Sequence, residues 1–324
     1  MDEFAFINQV KQSVYRQPSL VKGVGDDAAV FRQPSQDIVT AADTLVEGVH
    51  FSRAIMDPFH IGYRSLAANV SDIAAMGAAP AFYLVSIVIP DSCSDEELNG
   101  IYQGLSSAAS VHHMDLIGGD TVSGSELSIA VTAIGFVQKE KARFRSLAQP
   151  GDILFVTGTL GGAAAGFHML NSDKYYIDRT YYENKHRMPY IRSDFACQLE
   201  SLNRVTLNDI SDGIANEANE IADASHVTLT IEEERIPVRA SFAQFTAEEQ
   251  HDWKLYGGED FELLGSVSED EWDELKTIAE RTETPLTKIG YVDSAVKKGH
   301  QVILIDHTNK PVQLLKKGYT HRNR

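Results

Sequence analysis

Only two cysteines occur in the 324 residues, Cys93 and Cys197, far apart and without a C-x-x-C partner. A disulfide framework and a zinc centre are therefore not expected. No stretch nears the roughly 20 consecutive apolar residues of a membrane-crossing helix. The opening MDEFAFINQV lacks the basic start and long apolar run of a signal peptide. A cytoplasmic protein without membrane contacts is the expectation. Positive charge is also scarce: 29 Lys and Arg against 46 Asp and Glu leave a net charge of −17. Nucleic-acid binding would call for a basic stripe, so nucleic acid is set aside as a partner. The P-loop pattern G-x-x-x-x-G-K-S/T is missing. The Gly158–Gly166 run lacks that lysine and the G-x-G-x-x-G spacing, and it reads as a tight turn with close packing.

What is present fits an enzyme with a large core. The chain is 43% hydrophobic and 23% charged, enough for two domains. An amphipathic segment at 2–16 places Phe4, Ile7, Val10 and Val14 at helical spacing. Strands are expected at Ala28–Phe31, Ile38–Ala42, Tyr83–Ile89, Leu116–Ile117 and Glu126–Val137, and helices over 59–76 and from Ser94 to about His113. Ser94 followed by Glu97 forms a capping-box pattern. The polar stretch QKEKARFRSLAQPG at 138–151 marks a domain boundary, giving domains 1–140 and 141–324. Beyond it come strands at Ile153–Thr157, Thr206–Ile210, Phe261–Val267, Leu286–Tyr291 and Gln301–Ile305. Helices are expected near 190–203, from Gly213, and at about 269–281. Strands and helices mix without strict βαβ alternation, so the fold class is α+β, a mixed α/β arrangement, rather than a doubly wound sheet.

Aspartates recur in five short motifs: Gly25-Asp26-Asp27, Asp43-Thr44, Ser71-Asp72, Gly118-Gly119-Asp120 and Asp209-Ile210-Ser211-Asp212. Each ends or interrupts an apolar run. Any one alone could serve a turn or a helix cap; five alternating with apolar elements point elsewhere. Two unit charges about 4 Å apart repel by roughly 1 kcal/mol in water and about 4 kcal/mol near a protein surface. Converging carboxylates with so little lysine or arginine beside them need hard cations. Oxygen-only ligands favour magnesium, commonly shared with phosphate groups.

The segments GVGDDAAVF, AADTLVEGVHF, NVSDIAAMGAAP, LIGGDT, RSLAQPGD, NDISDG and YGGEDFELL, in this order, resemble the bacterial thiamine-monophosphate kinase family. That family lies within the aminoimidazole ribonucleotide synthase superfamily. The resemblance runs from about residue 22 to about 291. It implies ATP-dependent conversion of thiamine monophosphate to thiamine diphosphate with several magnesium ions. It also implies a two-domain architecture, with an N-terminal sheet or half-barrel with helices, a C-terminal α/β domain, and a homodimer formed through the N-terminal halves. Carried over by position, the metal ligands are Asp27, Asp43, Asp72, Asp120, Asp209 and Asp212. Gly119, Asp120, Arg145 and Ser211 approach ATP, and His50 and Glu259 contact thiamine monophosphate. Asp72, Asp120, Arg145 and Asp212 form the catalytic set. Tyr256 or Trp253 could add a cation–π contact to the thiazolium. Two departures stand out: Ala41 and Ala42 replace the hydroxyl residues usual before the aspartate at 43, and Lys316 replaces a C-terminal aromatic residue that Tyr319 could stand in for.

The implied chemistry needs no general base. The attacking phosphate oxygen is already largely ionised, because a phosphate monoester has its second pKa at about 6. Electrostatic repulsion between two anions is the difficulty, met by cations and by positioning. Two other readings remain at this stage. One is a superfamily enzyme acting on another substrate, although no N-terminal cysteine or cysteine-bearing tail supports it. The other is a non-catalytic regulator that binds ATP and magnesium.

Overall fold

The computed structural model describes residues 14–22, 30–31, 35–295 and 301–317. Most of the segment at 2–16, together with Asp26, Asp27 and Tyr319, lies outside the described residues. The chain forms two compact units, one of residues 1–74 and 78–142, the other of 75–77 and 143–324.

In the first unit, short strands β1 (Leu20–Lys22) and β2 (Val30–Phe31) pair antiparallel. The main sheet comprises β3 (Gln36–Val46), β4 (Ala79–Ile89), β5 (Asp115–Ser123) and β6 (Ser128–Gln138) in the order β3-β6-β4-β5. β4 and β5 run parallel because the helix Asp95–Val111 carries the chain across between them. Ser94 and Glu97 close the expected capping box, with bonds of 2.8 and 3.2 Å. The helix Pro58–Ala75 opens on a proline, whose missing N–H costs nothing at a helix start. Its Leu66, Val70, Ile73 and Ala74 are completely buried.

In the second unit, seven strands form one sheet: β7 (Ile153–Thr157), β8 (Val205–Asp209), β9 (Val227–Glu232), β10 (Leu263–Val267), β11 (Leu286–Ser294), β12 (Gln301–Ile305) and β13 (Pro311–Gln313). Their order is β13-β12-β9-β11-β7-β10-β8. Every pairing is antiparallel except β12 with β9. The helix Ile214–Ser225 lays Ile214, Ala218 and Ile221 into a core with Leu154, Leu229 and Leu264. The fold is mixed α/β, as the sequence pattern predicts.

Several element boundaries differ from expectation. Asp43 and Asp120 lie inside long strands rather than where strands give way to loops. The helix expected near 190–203 is a short turn of helix at Ser193–Cys197 and a 3-10 segment at Gln198–Ser201. The carbonyls of Leu199 and Leu202 instead accept from the buried Arg143 guanidinium. The polar excursion at 171–187 contains the helix Arg179–Arg187, where Glu183 pairs with both Arg179 and Arg187 at four-residue spacing.

Candidate functional site

In the first unit the site begins with a strand–helix contact. The Asp43 backbone N–H, on edge strand β3, donates to Asn69 Oδ1 at 3.0 Å. Asn69 sits on the helix Pro58–Ala75, three residues before Asp72, and that spacing puts the two side chains on one helix face. Asp43 and Asp72 come within hydrogen-bonding reach of each other. Burial pushes the Asp43 carboxyl above its ordinary value, while the bond to Asp72 and the charge of His50 oppose that shift. His50 stands in the turn after β3, its Nδ1 accepting from the Val46 N–H at 3.0 Å. The three residues therefore form one local group.

Gly119 and Asp120 occupy the opposite edge of that sheet. Strand register aligns Asp43 with Val131, Val85 and Gly119 in a row across the four strands. Asp120 falls in the next row, with Ser86, Ala130 and Thr44, and so on the other face of the pleat. Three strand spacings separate β3 from β5, about 14 Å. Asp120 accepts from the Thr121 N–H through its own Oδ1 at 3.0 Å. A Cβ on Gly119 would lie 2.0 Å from the Val85 carbonyl oxygen, so no side chain fits there.

The second unit gathers its residues where β8 ends. Asp209 closes that strand, 4% exposed, and Ser211 and Asp212 form the loop before the helix Ile214–Ser225. A second loop, 257–262, runs beside it: the Glu259 N–H donates to the Ser211 carbonyl at 2.7 Å and the Phe261 N–H to the Ile210 carbonyl at 2.9 Å. A Cβ on Gly258 would come 2.5 Å from that same Ser211 oxygen, hence the glycine. Glu259 and Phe261 both adopt left-handed backbone, at φ 69° and 49°. Such conformations in bulky residues persist only where the surroundings impose them. The imposition comes from Asp260 and Glu262. Asp260 accepts from the N–H groups of Gly161 at 2.6 Å and Ala163 at 2.9 Å. Glu262 is clasped by Lys185 at 2.7 Å and by Arg192 at 2.8 and 3.0 Å. Glu259 itself points to His186, with 3.7 Å from its Oε2 to Nδ1.

Arg145 begins the 3-10 turn Arg145–Leu147 and donates through Nε to Asn208 Oδ1 at 2.9 Å. Glu217, 3% exposed, lies beneath the Ser211–Asp212 loop. Burial first, then the negative charges of Asp209 and Asp212, push its carboxyl up to about 7.

The structure thus forms two acidic groups, Asp43 with Asp72 beside His50, and Asp209 with Asp212 beside Ser211, Arg145 and Glu259. Asp120 stands apart from the first. Among the described residues, no group of three or more His, Cys, Asp or Glu side chains is arranged to hold a metal ion. The donor chemistry nevertheless suits magnesium, which keeps several waters and takes only one or two carboxylates from the protein.

Asn69, Asn208, Glu217 and the Lys185–Arg192–Glu262 clasp escape a reading of the sequence. Asn208 adjoins the Asp-Ile-Ser-Asp motif and was open to notice; the others carry no local signal. Lys316 pairs with Glu220 at 2.5 Å and Asp223 at 3.4 Å. The Lys317 ammonium lies 4.9 Å from the Tyr256 ring centroid, and Trp253 packs on Phe245 and His168 in an aromatic cluster.

Comparison with known proteins agrees with this architecture. Residues 25–137 match the family described as AIR synthase related protein, N-terminal domain, and residues 149–303 match its C-terminal domain. A thiamine-monophosphate kinase of Bacillus subtilis (strain 168) is 42% identical over 329 residues, covering 99% of both chains. The crystal structure of thiamine-monophosphate kinase from Stenotrophomonas maltophilia K279a superposes with a TM-score of 0.84 at 31% identity, covering 94% of this chain and 96% of that one. A solved structure described as AaThiL complexed with AMPPCP and TMP gives 0.78 at 27% identity, over 98% and 96%. With two domain families matched in order and full-length kinship above 30%, this chain belongs to the thiamine-monophosphate kinase family of AIR synthase related proteins.

Proposed function

We propose that this protein transfers the γ-phosphoryl group of ATP directly and in line to a phosphate oxygen of thiamine monophosphate. The products are thiamine diphosphate and ADP, and the reaction is the final step of thiamine diphosphate biosynthesis. The observation that carries this reading is the kinship over 99% of the chain with a thiamine-monophosphate kinase. A relative of the same fold that holds AMPPCP and TMP supports the choice of two substrates.

Asp43, Asp72 and Asp120 in the first unit would hold magnesium, as would Asp209 and Asp212 in the second; Asp27 completes the proposed ligand set. Magnesium, when bound, supplies positive charge that offsets repulsion between the two phosphate groups. Arg145 presents a planar fork of donors suited to phosphate oxygens, and its exposed guanidinium is steadied through Nε by Asn208. Gly119, with no side chain to intrude, leaves backbone accessible to the nucleotide, and Ser211 offers a hydroxyl. His50 and Glu259 receive thiamine monophosphate: Glu259 complements the cationic thiazolium, held in place by its strained loop. No residue must take a proton from the attacking phosphate, which is ionised near neutral pH. Positioning therefore carries the reaction, with Asp72, Asp120, Arg145 and Asp212 as its catalytic groups.

The first domain, 1–140, binds metal and nucleotide and mediates dimerisation; the second, 141–324, completes both substrate sites. A homodimer through the first domain follows from the family resemblance. No helix among the described residues is long and apolar enough to cross a membrane, and a cytoplasmic location is part of this reading. The test is to incubate purified protein with ATP, magnesium and thiamine monophosphate. Thiamine diphosphate and ADP form in equal amounts if the reading holds. Magnesium-dependent ATP binding with no product from any thiamine phosphate would replace it with a regulatory role.

A further inference from the structure

Asn208 lies on β8 immediately before Asp209 and is 1% exposed. Both ends of its amide are committed. Oδ1 accepts from Arg145 Nε at 2.9 Å, and Nδ2 donates to Glu217 Oε2 at 2.6 Å. The second oxygen of Glu217 accepts from the Asp212 N–H at 3.1 Å and from the Ser211 hydroxyl at 3.5 Å. An unbroken run of hydrogen bonds therefore joins the Arg145 guanidinium to the Ser211–Asp212 loop. Arg145 is tied down at its backbone as well, where its carbonyl accepts from Ser225 Oγ at 2.6 Å.

We propose that Asn208 and Glu217 are positioning residues that lock the Arg145 guanidinium and the Ser211–Asp212 loop into one fixed mutual orientation. The nucleotide phosphates then meet both together. This rests on the reading above, in which Arg145, Ser211 and Asp212 attend the nucleotide. The polarity of the run is what gives it power to orient. A primary amide has one accepting and one donating end, whereas guanidinium only donates, so Arg145 fixes which end of Asn208 faces it and leaves the N–H for Glu217. Turning the Asn208 amide over would set N–H against N–H at Arg145, whatever the charge on Glu217. Only one arrangement satisfies all partners, and buried polar groups left unsatisfied are costly.

The same polarity supplies the test. Asn208→Asp keeps an acceptor for Arg145 but faces Glu217 with a second carboxylate. Glu217→Gln must set its N–H against a donor, either the Asn208 amide or the Asp212 N–H, and turning Asn208 over only moves the clash to Arg145. The double change, Asn208→Asp with Glu217→Gln, restores every bond: the new carboxylate accepts from Arg145 and from the new amide, whose oxygen still accepts from Asp212. Each single variant should lose about tenfold or more in kcat/KM for ATP, the scale of coupling between bonded side chains. Affinity for AMPPCP, measured by calorimetry, should fall by a similar factor. The double variant should return to within about threefold of the parent in both readouts.

A double variant no better than the worse single one overturns the proposal, as do single variants that match the parent. If a single variant does not fold, the double variant still decides, by binding AMPPCP and turning over ATP or by failing to. Should the parent protein make no thiamine diphosphate, the functional reading falls, and recovery of AMPPCP affinity alone then decides for or against the positioning role.

Discussion

Two acidic regions of this molecule behave in opposite ways. In the second unit, Asp260 and Glu262 are 1% and 0% exposed and lie two residues apart. Burial pushes Asp260 up to about 6. Burial acts on Glu262 in the same direction, but Lys185 and Arg192 overcome it and hold that carboxyl down at about 2. In the first unit, Asp43 is also raised by burial, and Asp72 and His50 relieve it only in part. The clasp carries its own cations and is complete as a structural device. In the Asp43–Asp72 pair two acids stand side by side, with the charge of His50 opposing the shift. Burial alone does not decide the charge of a carboxyl; the neighbouring cation does.

The largest effect should come from breaking the clasp. Glu262→Leu leaves Lys185 and Arg192 buried without the carboxylate they share, and should destabilise the fold by about 3–5 kcal/mol in urea denaturation. Next, Asp72→Asn should cut kcat by about 100-fold or more while the urea midpoint stays at or above that of the parent. Paired with it, magnesium should raise the thermal midpoint of the parent and do so far less for Asp72→Asn. A magnesium response unchanged by that substitution would remove the first group from the metal site.

A pH series sharpens the contrast within the second unit. Asp260 has its folded value above the ordinary 3.8, so the native state holds the extra proton and stability falls as pH rises from about 4 through about 6. Glu262 runs the other way: its contribution is complete above 4.5 and is lost as pH falls toward about 2. Urea curves for Asp260→Asn should flatten across the first window, and those for Glu262→Gln across the second. The smallest effect belongs to Lys316. Its pairs with Glu220 and Asp223 are partly exposed, with 41% of the lysine side chain accessible. Lys316→Ala should cost under about 1 kcal/mol in the same assay.

Much of the fold was legible beforehand. Ser94 and Glu97 announced a helix start that the structure closes on both sides, since that signal is wholly local. The buried strand Ile153–Thr157 was plain from its continuous apolar run. The helix Arg179–Arg187 was hidden because its residues are polar, and its support comes from charge pairs and from burial of Tyr182 and His186. The aspartates were conspicuous as motifs, yet their grouping was not. Strand register alone puts Asp43 with the helix-covered face and Asp120 on the other.

By itself the sequence determined which residue types were available: a surplus of carboxylates, glycines where backbones nearly touch, and motifs specific enough to name a family. Those are properties of the chain's chemistry and its order. Tertiary structure alone decided which carboxylates keep their charge and which groups hold which. Lys185 and Arg192 reach Glu262 across 77 and 70 residues, and Asn208 reaches Arg145 across 63. Such bonds depend on distances of about 3 Å between side chains that no local pattern relates.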